Sequence, residues 1–545
     1  MRNLVVVHLV VCLVVCAVVC ATFAAEQTGP AKTTYKVGMK DGVRLATDVY
    51  LPEGEGSWPV LLTRLPYNKN GLKGIAGNFT KLGYAVVGQD VRGTFESEGK
   101  YDAFESDGWG PNKDGYETVE WIAAQPWCNG KIGTLGGSAL GITQNLMAGA
   151  CPPHLVCQFV DVASSDFYSQ CAYIGGAFRE GMMVPWLKDR GAPEIVDRWL
   201  SHPTRDSFWS LFDCESKHPL ITVPVYNVGG WYDIFAVGTM NSFVGLQTRG
   251  GPGARGNQKV VMGPWTHGIN IRRAGELTYP ENAKNDQLDK DRTRWFDYWL
   301  KGDDNGIMRE PAMNYYVMGD VDDQSAPGNL WRHVTCWPPA NRITNLYLQA
   351  GGKLRREKAD SDPETYKYDP DNPVPTRGGN NLFPPAGPMD QKKIGERADM
   401  LKYETELLEK PIELTGTPCV RLYASSSAPD TDWVVKLIDV YPDGREMLVS
   451  DTALRARYRN SFTAPEFMKP GDVYLFNIEF WPTSIVLNKG HKIALHVTSS
   501  NYPRYSVNPN TEDGKTKQVA QNTIYHDKKW PSALVLPVIE AASQN

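Results

Sequence analysis

Between Trp58 and Gly263 this chain repeats one pattern: a short, almost unbroken apolar run, then a longer stretch with other spacing. The runs are Trp58–Leu65, Tyr84–Asp90, Lys131–Leu135, Val156–Val162, Val223–Val228 and Lys259–Gly263. A strand with one wet face alternates apolar and polar residues, so unbroken runs of this kind mark strands covered on both faces. Helical patterns supply the covering layers. One runs over Tyr116–Ala124, with Asp114 near its start and Pro126 past its end. Another runs over Arg292–Leu300, with Trp295, Phe296 and Trp299 on one face and Gly302 as its stop. Ahead of them Tyr35–Tyr50 alternates on either side of Asp41-Gly42, a hairpin signal. Strands alternating with helices predict an α/β core on a mostly parallel sheet, over residues 30–163 and 220–345.

Two segments break the rhythm. Ser164–Pro219 carries Tyr168, Tyr173, Trp186, Trp199 and Trp209 among helix-compatible residues, which predicts a helical cap inserted at residues 164–219. After Trp337-Pro338-Pro339 the character changes again. Asp360–Gly387 is rich in Pro, Asp, Asn and Gly and reads as a long ordered loop. From Pro411 onward β-patterned runs recur at Cys419–Ala424, Trp433–Val440, Val473–Phe480 and Lys492–Val497, with no sustained helical period. They predict a C-terminal β-sandwich of the jelly-roll kind over residues 346–545. A chain of 545 residues has room for this division.

The first residues have a separate meaning. Arg2, the apolar run Leu4–Cys20 and then Ala21-Thr22-Phe23-Ala24-Ala25 have the layout of a cleavable secretory signal over residues 1–25, cut after Ala24 or Ala25. The mature protein is then expected to be secreted or periplasmic, with no membrane association. An uncleaved anchor and a lipid attached at Cys20 are the other readings, and the bulky Val19 suits the lipid poorly. Of ten cysteines, Cys12, Cys16 and Cys20 lie in this leader. Among the other seven, Cys151, Cys157, Cys171 and Cys214 cluster in one region, which predicts a disulfide or two in an oxidising compartment. No CxxC, HxxxH or HxH spacing occurs, so neither a metal site nor a cofactor is expected. A net charge of -5 and a pI near 6.1 carry no footprint for nucleic acid.

The sharpest local signal is Lys131-Ile132-Gly133-Thr134-Leu135-Gly136-Gly137-Ser138-Ala139-Leu140-Gly141. A strand running into glycines, then a serine, then a small-residue helix start is the context of a nucleophile elbow, where a tight turn lifts the hydroxyl above the sheet. Leu140 stands where the common motif has its second glycine, and Gly141 comes one place later. A serine hydroxyl needs a base, and the base needs an acid to orient it, each beyond a strand and in the order Ser, Asp, His. Asp233 follows Val223–Val228 and His267 follows Lys259–Gly263, and His267 is the one histidine between Asp233 and His333. Oxyanion donors are also required. The Ala139 N–H, next after the serine, is the expected first. Tyr67, in the Pro66-Tyr67-Asn68-Lys69 segment after an early strand, serves either packing or catalysis on this reading.

At these segments the chain resembles the cocaine esterase and Xaa-Pro dipeptidyl-peptidase family of serine hydrolases, also called CocE/NonD or peptidase S15-type. The likeness also takes in Asp90-Val91-Arg92-Gly93, Gln125-Pro126-Trp127, Gly230-Trp231-Tyr232-Asp233 and Gly263-Pro264-Trp265-Thr266-His267. In the C-terminal part it continues through Arg455-Ala456-Arg457-Tyr458-Arg459, Gly490-His491, Ser499–Arg504 and Asn508-Pro509-Asn510-Thr511. The resemblance implies an α/β-hydrolase core with an inserted helical cap and a C-terminal jelly roll. It implies Ser138, Asp233 and His267 as the triad, with Tyr67 and the Ala139 N–H as the oxyanion hole. Ala139 replaces the tyrosine usual after the nucleophile, and the cap is short, so the resemblance leaves substrate preference open. The leading expectation is hydrolysis of a small ester or amide through an acyl-enzyme on Ser138. Release of Xaa-Pro dipeptides is the alternative and needs a cap carboxylate for the α-amine, with Glu180, Asp189 and Asp197 as the candidates. A non-catalytic carbohydrate-binding protein is the remaining reading, opposed by an intact triad.

Overall fold

The computed structural model describes residues 30–383 and 385–539. The apolar leader and its export reading lie outside these residues.

Ten strands form the first sheet: β1 (Lys32–Gly38), β2 (Arg44–Tyr50), β3 (Trp58–Leu65), β4 (Ala85–Asp90), β5 (Cys128–Gly137), β6 (Leu155–Asp161), β7 (Val225–Gly230), β8 (Lys259–Gly263), β9 (Met313–Val317) and β10 (Leu330–Val334). Their order is β1-β2-β4-β3-β5-β6-β7-β8-β9-β10. Every pairing from β4 to β9 is parallel, and only the edges are antiparallel. The helices that accompany this sheet are α1 (Lys73–Lys81), α2 (Asp114–Ala123), α3 (Ala139–Gly149), α4 (Glu180–Asp189), α5 (Glu194–Leu200), α6 (Ala236–Arg249) and α7 (Leu288–Phe296).

The unbroken apolar runs now have their cause. Along β3, Val60 and Leu62 enter one core with Val119 and Ile122 of α2 and Ile142 of α3. Leu61 between them enters the opposite core, with Phe79 of α1 and Trp295 and Phe296 of α7. Side chains alternate across a strand, so a strand buried on both faces must be apolar at every position. The sequence reading missed β9 and β10. Each is five residues long, and β10 is a half-exposed edge strand with no apolar run.

The cap is less helical than its sequence suggested. α4 and α5 are joined to a two-by-two-residue hairpin and to 3₁₀ turns at Ser207–Phe212 and Cys214–Leu220. Phe167, Trp199 and Trp209 pack against one another there, in the same cluster as α2 and α3. The aromatics are the cap's own core, continuous with that of the sheet.

The expected disulfides do not form: all seven described cysteines are free. Cys157 points into the core beneath the sheet, whereas Cys171 and Cys214 lie in the core on the other face. The Cys214 thiol bonds to the Asn145 carbonyl at 3.2 Å and that of Cys151 to Leu220 at 3.4 Å. Closeness in sequence misled because the sheet separates Cys157 from Cys171 and Cys214, while the Cys151 and Cys214 thiols each face a backbone carbonyl.

A second sheet of thirteen strands begins at Arg342 and ends at Ile539, making the C-terminal domain β-rich. Within the predicted loop Asp360–Gly387, Glu364–Tyr368 is a strand paired with Ala520–Tyr525. Tyr366 and Tyr368 are buried and Thr365 and Lys367 exposed, a period of two that the surrounding Pro and Asp obscured. Polar contacts join this domain to the core. Met318 exchanges backbone bonds with Ser484 and Val486, and buried His491 lies between Asp439 at 2.8 Å and Asp320 at 3.2 Å.

Candidate active site

β5 ends in Gly136-Gly137, and α3 starts at Ala139, leaving Ser138 alone to turn the chain. Its φ of 59° and ψ of −124° are a sparsely populated combination for a non-glycine residue. The turn is held from below, where Ser138 N–H donates to the carbonyls of Asp161 at 3.0 Å and Val162 at 3.2 Å. The displaced glycine has a steric reason. A Cβ on Gly141 would lie 2.7 Å from the Ala163 Cβ, and one on Gly136 would lie 2.7 Å from the Leu140 Cβ. Glycine is needed where α3 meets the chain leaving β6, one place later than in the common motif, and Leu140 instead packs over Gly136.

Asp233 leaves the end of β7 and His267 the end of β8. His267 Nδ1 lies 2.6 Å from Asp233 Oδ1, and His267 Nε2 lies 2.9 Å from Ser138 Oγ. Asp233 is fully buried, and its second oxygen accepts from the Phe235 N–H at 2.9 Å. With one imidazole nitrogen bonded to a carboxylate, the other is set as acceptor toward the serine hydroxyl.

Ser138 and His267 open into a cavity of about 210 Å³. Its other walls are apolar, with Phe104, Phe167, Met182, Met183, Trp186 and Leu382 prominent. Tyr67 and Ala139 line the same space. Tyr67 is 38% exposed and is therefore no core aromatic. Its hydroxyl oxygen accepts from the Trp186 indole at 3.1 Å, and the Arg190 guanidinium sits 4.9 Å from its ring centroid. Arg190 also donates to the Pro66 carbonyl at 3.0 Å, so the cap grips this loop twice.

Sequence reasoning missed Phe104, Trp186 and Leu382 as walls. Phe104 has a left-handed φ of 84° and stacks on Trp186 with ring centroids 5.8 Å apart. Beside it Asp107 is ion-paired to buried Arg64 and Glu105 to Arg198. Burial pushes both carboxyls up to about 7, against the pull of their arginines. No motif marks such residues, because each acts through a distant neighbour. The cap carboxylates stand elsewhere. Glu180 is half-buried and bonded to Tyr502, Asp189 pairs with Arg190, and Asp197 is exposed. Among the described residues no group of three or more His, Cys, Asp or Glu could hold a metal ion.

A parallel sheet of this strand order, with a strained serine at the β5–α3 turn bonded to a histidine and a buried aspartate, defines a serine hydrolase of the α/β type. Known proteins agree. The family described as "X-Pro dipeptidyl-peptidase (S15 family)" matches residues 41–192 and 186–269, and its "C-terminal non-catalytic domain" matches residues 305–535. Cocaine esterase of Rhodococcus sp. (strain MB1 Bresler) is 32% identical, over 92% of this chain and 98% of its own length. A solved aminopeptidase from the marine sediment archaeon Thaumarchaeota archaeon has a TM-score of 0.82 at 25% identity, covering 95% of this chain and 98% of its own. An alpha-amino acid ester hydrolase has a TM-score of 0.78 at 26% identity, with the same coverage. The chain belongs to the CocE/NonD, S15-type family of serine hydrolases.

Proposed function

We propose that the chain hydrolyses esters of uncharged, apolar carboxylic acids through an acyl-enzyme on Ser138. Ser138 Oγ attacks the carbonyl carbon while His267 Nε2 takes its proton, and Asp233 holds the imidazole and balances its charge. The carbonyl oxygen, now negative, is met by the Ala139 N–H and the Tyr67 O–H. Collapse expels the alcohol, which takes the proton from His267, and water then repeats the sequence on the acyl-enzyme.

The observation that carries the acyl preference is the cavity wall. An ammonium placed among Phe104, Met182, Trp186 and Leu382 would lose its hydration without a counter-charge. Among the described residues no carboxylate lines the cavity, and Asp233 is buried behind His267. That weighs against release of Xaa-Pro dipeptides, whose free α-amine would enter with the acyl part. We also take the leader as an export signal and the second sheet as a jelly roll. Sequencing the N-terminus of exported protein tests the former.

A fluorophosphonate label with peptide mapping, run beside aryl and alkyl esters, amides and Xaa-Pro substrates, tests the whole reading. Label on Ser138 and preference for apolar acyl esters are expected. Label on another serine, or faster turnover of Xaa-Pro amides, refutes it.

A further inference from the structure

The triad aspartate sits on a loop whose main chain is held by two side chains from outside the core sheet. Asn380, buried in the C-terminal part, donates its amide to the carbonyls of Asp233 at 2.8 Å and Trp231 at 3.1 Å. Arg179, fully buried at the entry to α4 in the cap, donates to the next carbonyl, Ile234, at 3.2 Å. The same guanidinium also reaches the carbonyls of Gln170 at 3.1 Å and of Asn380 itself at 3.0 Å. Three bonds therefore reach the carbonyls of Trp231, Asp233 and Ile234, two from Asn380 in the C-terminal loop and one from Arg179 in the cap, and a fourth ties those two residues together.

Arg179 is unusual in its surroundings. Among the described residues it forms no ion pair with a carboxylate, and its Nε is buried without a bond there. Trp481 lies 5.8 Å from it and 5.7 Å from Arg504, which is itself paired with Asp451. Burial and the Arg504 charge bring the Arg179 guanidinium down to about 10, and the charge of Asp233 works against them. A site that only needed filling would take Met or Leu at far lower solvation cost. What the guanidinium supplies is a fixed fork of donors.

We propose that Asn380 and Arg179 form a clamp that positions the Asp233 loop, so that the docked cap and C-terminal domain set the Asp233–His267 bond. This rests on the triad assigned above. The carboxylate has one oxygen on Phe235 N–H and the other on His267, so any shift of its main chain is passed to the imidazole. Neither clamp residue touches substrate. They are positioning residues.

The test uses the full-length protein with Asn380→Ser, Asn380→Ala and Asn380→Asp. Active sites are counted by fluorophosphonate labelling of Ser138, so that a misfolded fraction drops out of kcat. Ser leaves one donor, Ala none, and Asp places a carboxylate against two carbonyl oxygens. The expected order of kcat is wild type, Ser, Ala, Asp, with Ala down about 10- to 100-fold, the scale of a misplaced catalytic group, and KM within about twofold. A residue that merely stabilised the fold would change the count of labelled sites and leave kcat per site alone. That result overturns the clamp, as would Asp equalling wild type. If the wild-type label maps elsewhere than Ser138, the triad assignment itself has failed and the clamp falls with it. The two failures are thus told apart by one reagent.

Discussion

The two halves of the triad are built differently. Ser138 is held by a single β-α-β stretch: its N–H donates to Asp161 and Val162, and Gly141 packs α3 against Ala163. Asp233 is held across the molecule, by a cap residue 55 positions before Ile234 and a C-terminal residue 147 positions after Asp233. The nucleophile needs only local chain geometry, whereas the acid needs three parts of the chain docked. A damaged interface can therefore leave a reactive-looking serine with a poorly aimed base.

Removing the nucleophile gives the largest effect. Ser138→Ala should lower kcat about 10⁶-fold, the scale known for loss of a triad serine, with the melting temperature little changed. A large drop in melting temperature would show that the strained turn and the distant supports are not independent.

Next comes Tyr67, which belongs to a core loop but is gripped by Trp186 and Arg190 of the cap. Tyr67→Phe keeps the ring and deletes the hydroxyl proposed as one oxyanion donor. Steady-state kinetics should show kcat down about 10²–10³-fold with KM little changed. A rise in KM alone would assign the hydroxyl to ground-state binding instead.

The local half can be strained directly. Gly141→Ala places a Cβ against Ala163 in a packed core, so denaturant unfolding should show a loss of about 1–3 kcal/mol, and kcat should fall as the elbow shifts. Unchanged stability and rate would mean that the shifted glycine is no packing requirement.

The smallest effect concerns the docked half. His491 is buried between Asp439 and Asp320, with Arg445 acting on Asp439 and the Tyr441 ring tilted against it. The Asp439 hydrogen bond and the two carboxylate charges raise its pKa above the ordinary histidine value, although burial opposes them. A pKa raised on folding contributes stability that is fully present below the unfolded value near 6.5 and lost as pH rises through the folded value. The wild type should therefore lose melting temperature as pH rises above about 6.5, and His491→Gln should lack that part of the slope. Equal slopes in the two proteins would remove His491 from the interface energetics.

Much of the core was legible because its signals are local. The runs at Trp58–Leu65 and Lys259–Gly263 are strands, the elbow is a strand–turn–helix, and Gly302 does stop the last helix, with φ of 86° after a π turn over Asp297–Lys301. The strand Glu364–Tyr368 was hidden, since its alternation spans five residues among turn formers. The disulfides were misread because spacing along the chain says nothing about which side of the sheet Cys157 faces or which carbonyls the Cys151 and Cys214 thiols meet.

The sequence by itself determined the strand order's ingredients, the order Ser138, Asp233 and His267, and their appearance at strand ends. Each of these follows from periodicity and turn formation within about a dozen residues. Only the tertiary structure decided that Phe104 faces Trp186, that the cap carboxylates stay out of the cavity, and that Asn380 reaches Asp233. Those contacts join segments over a hundred positions apart in some cases, and no local pattern encodes a pairing made only when separate layers dock.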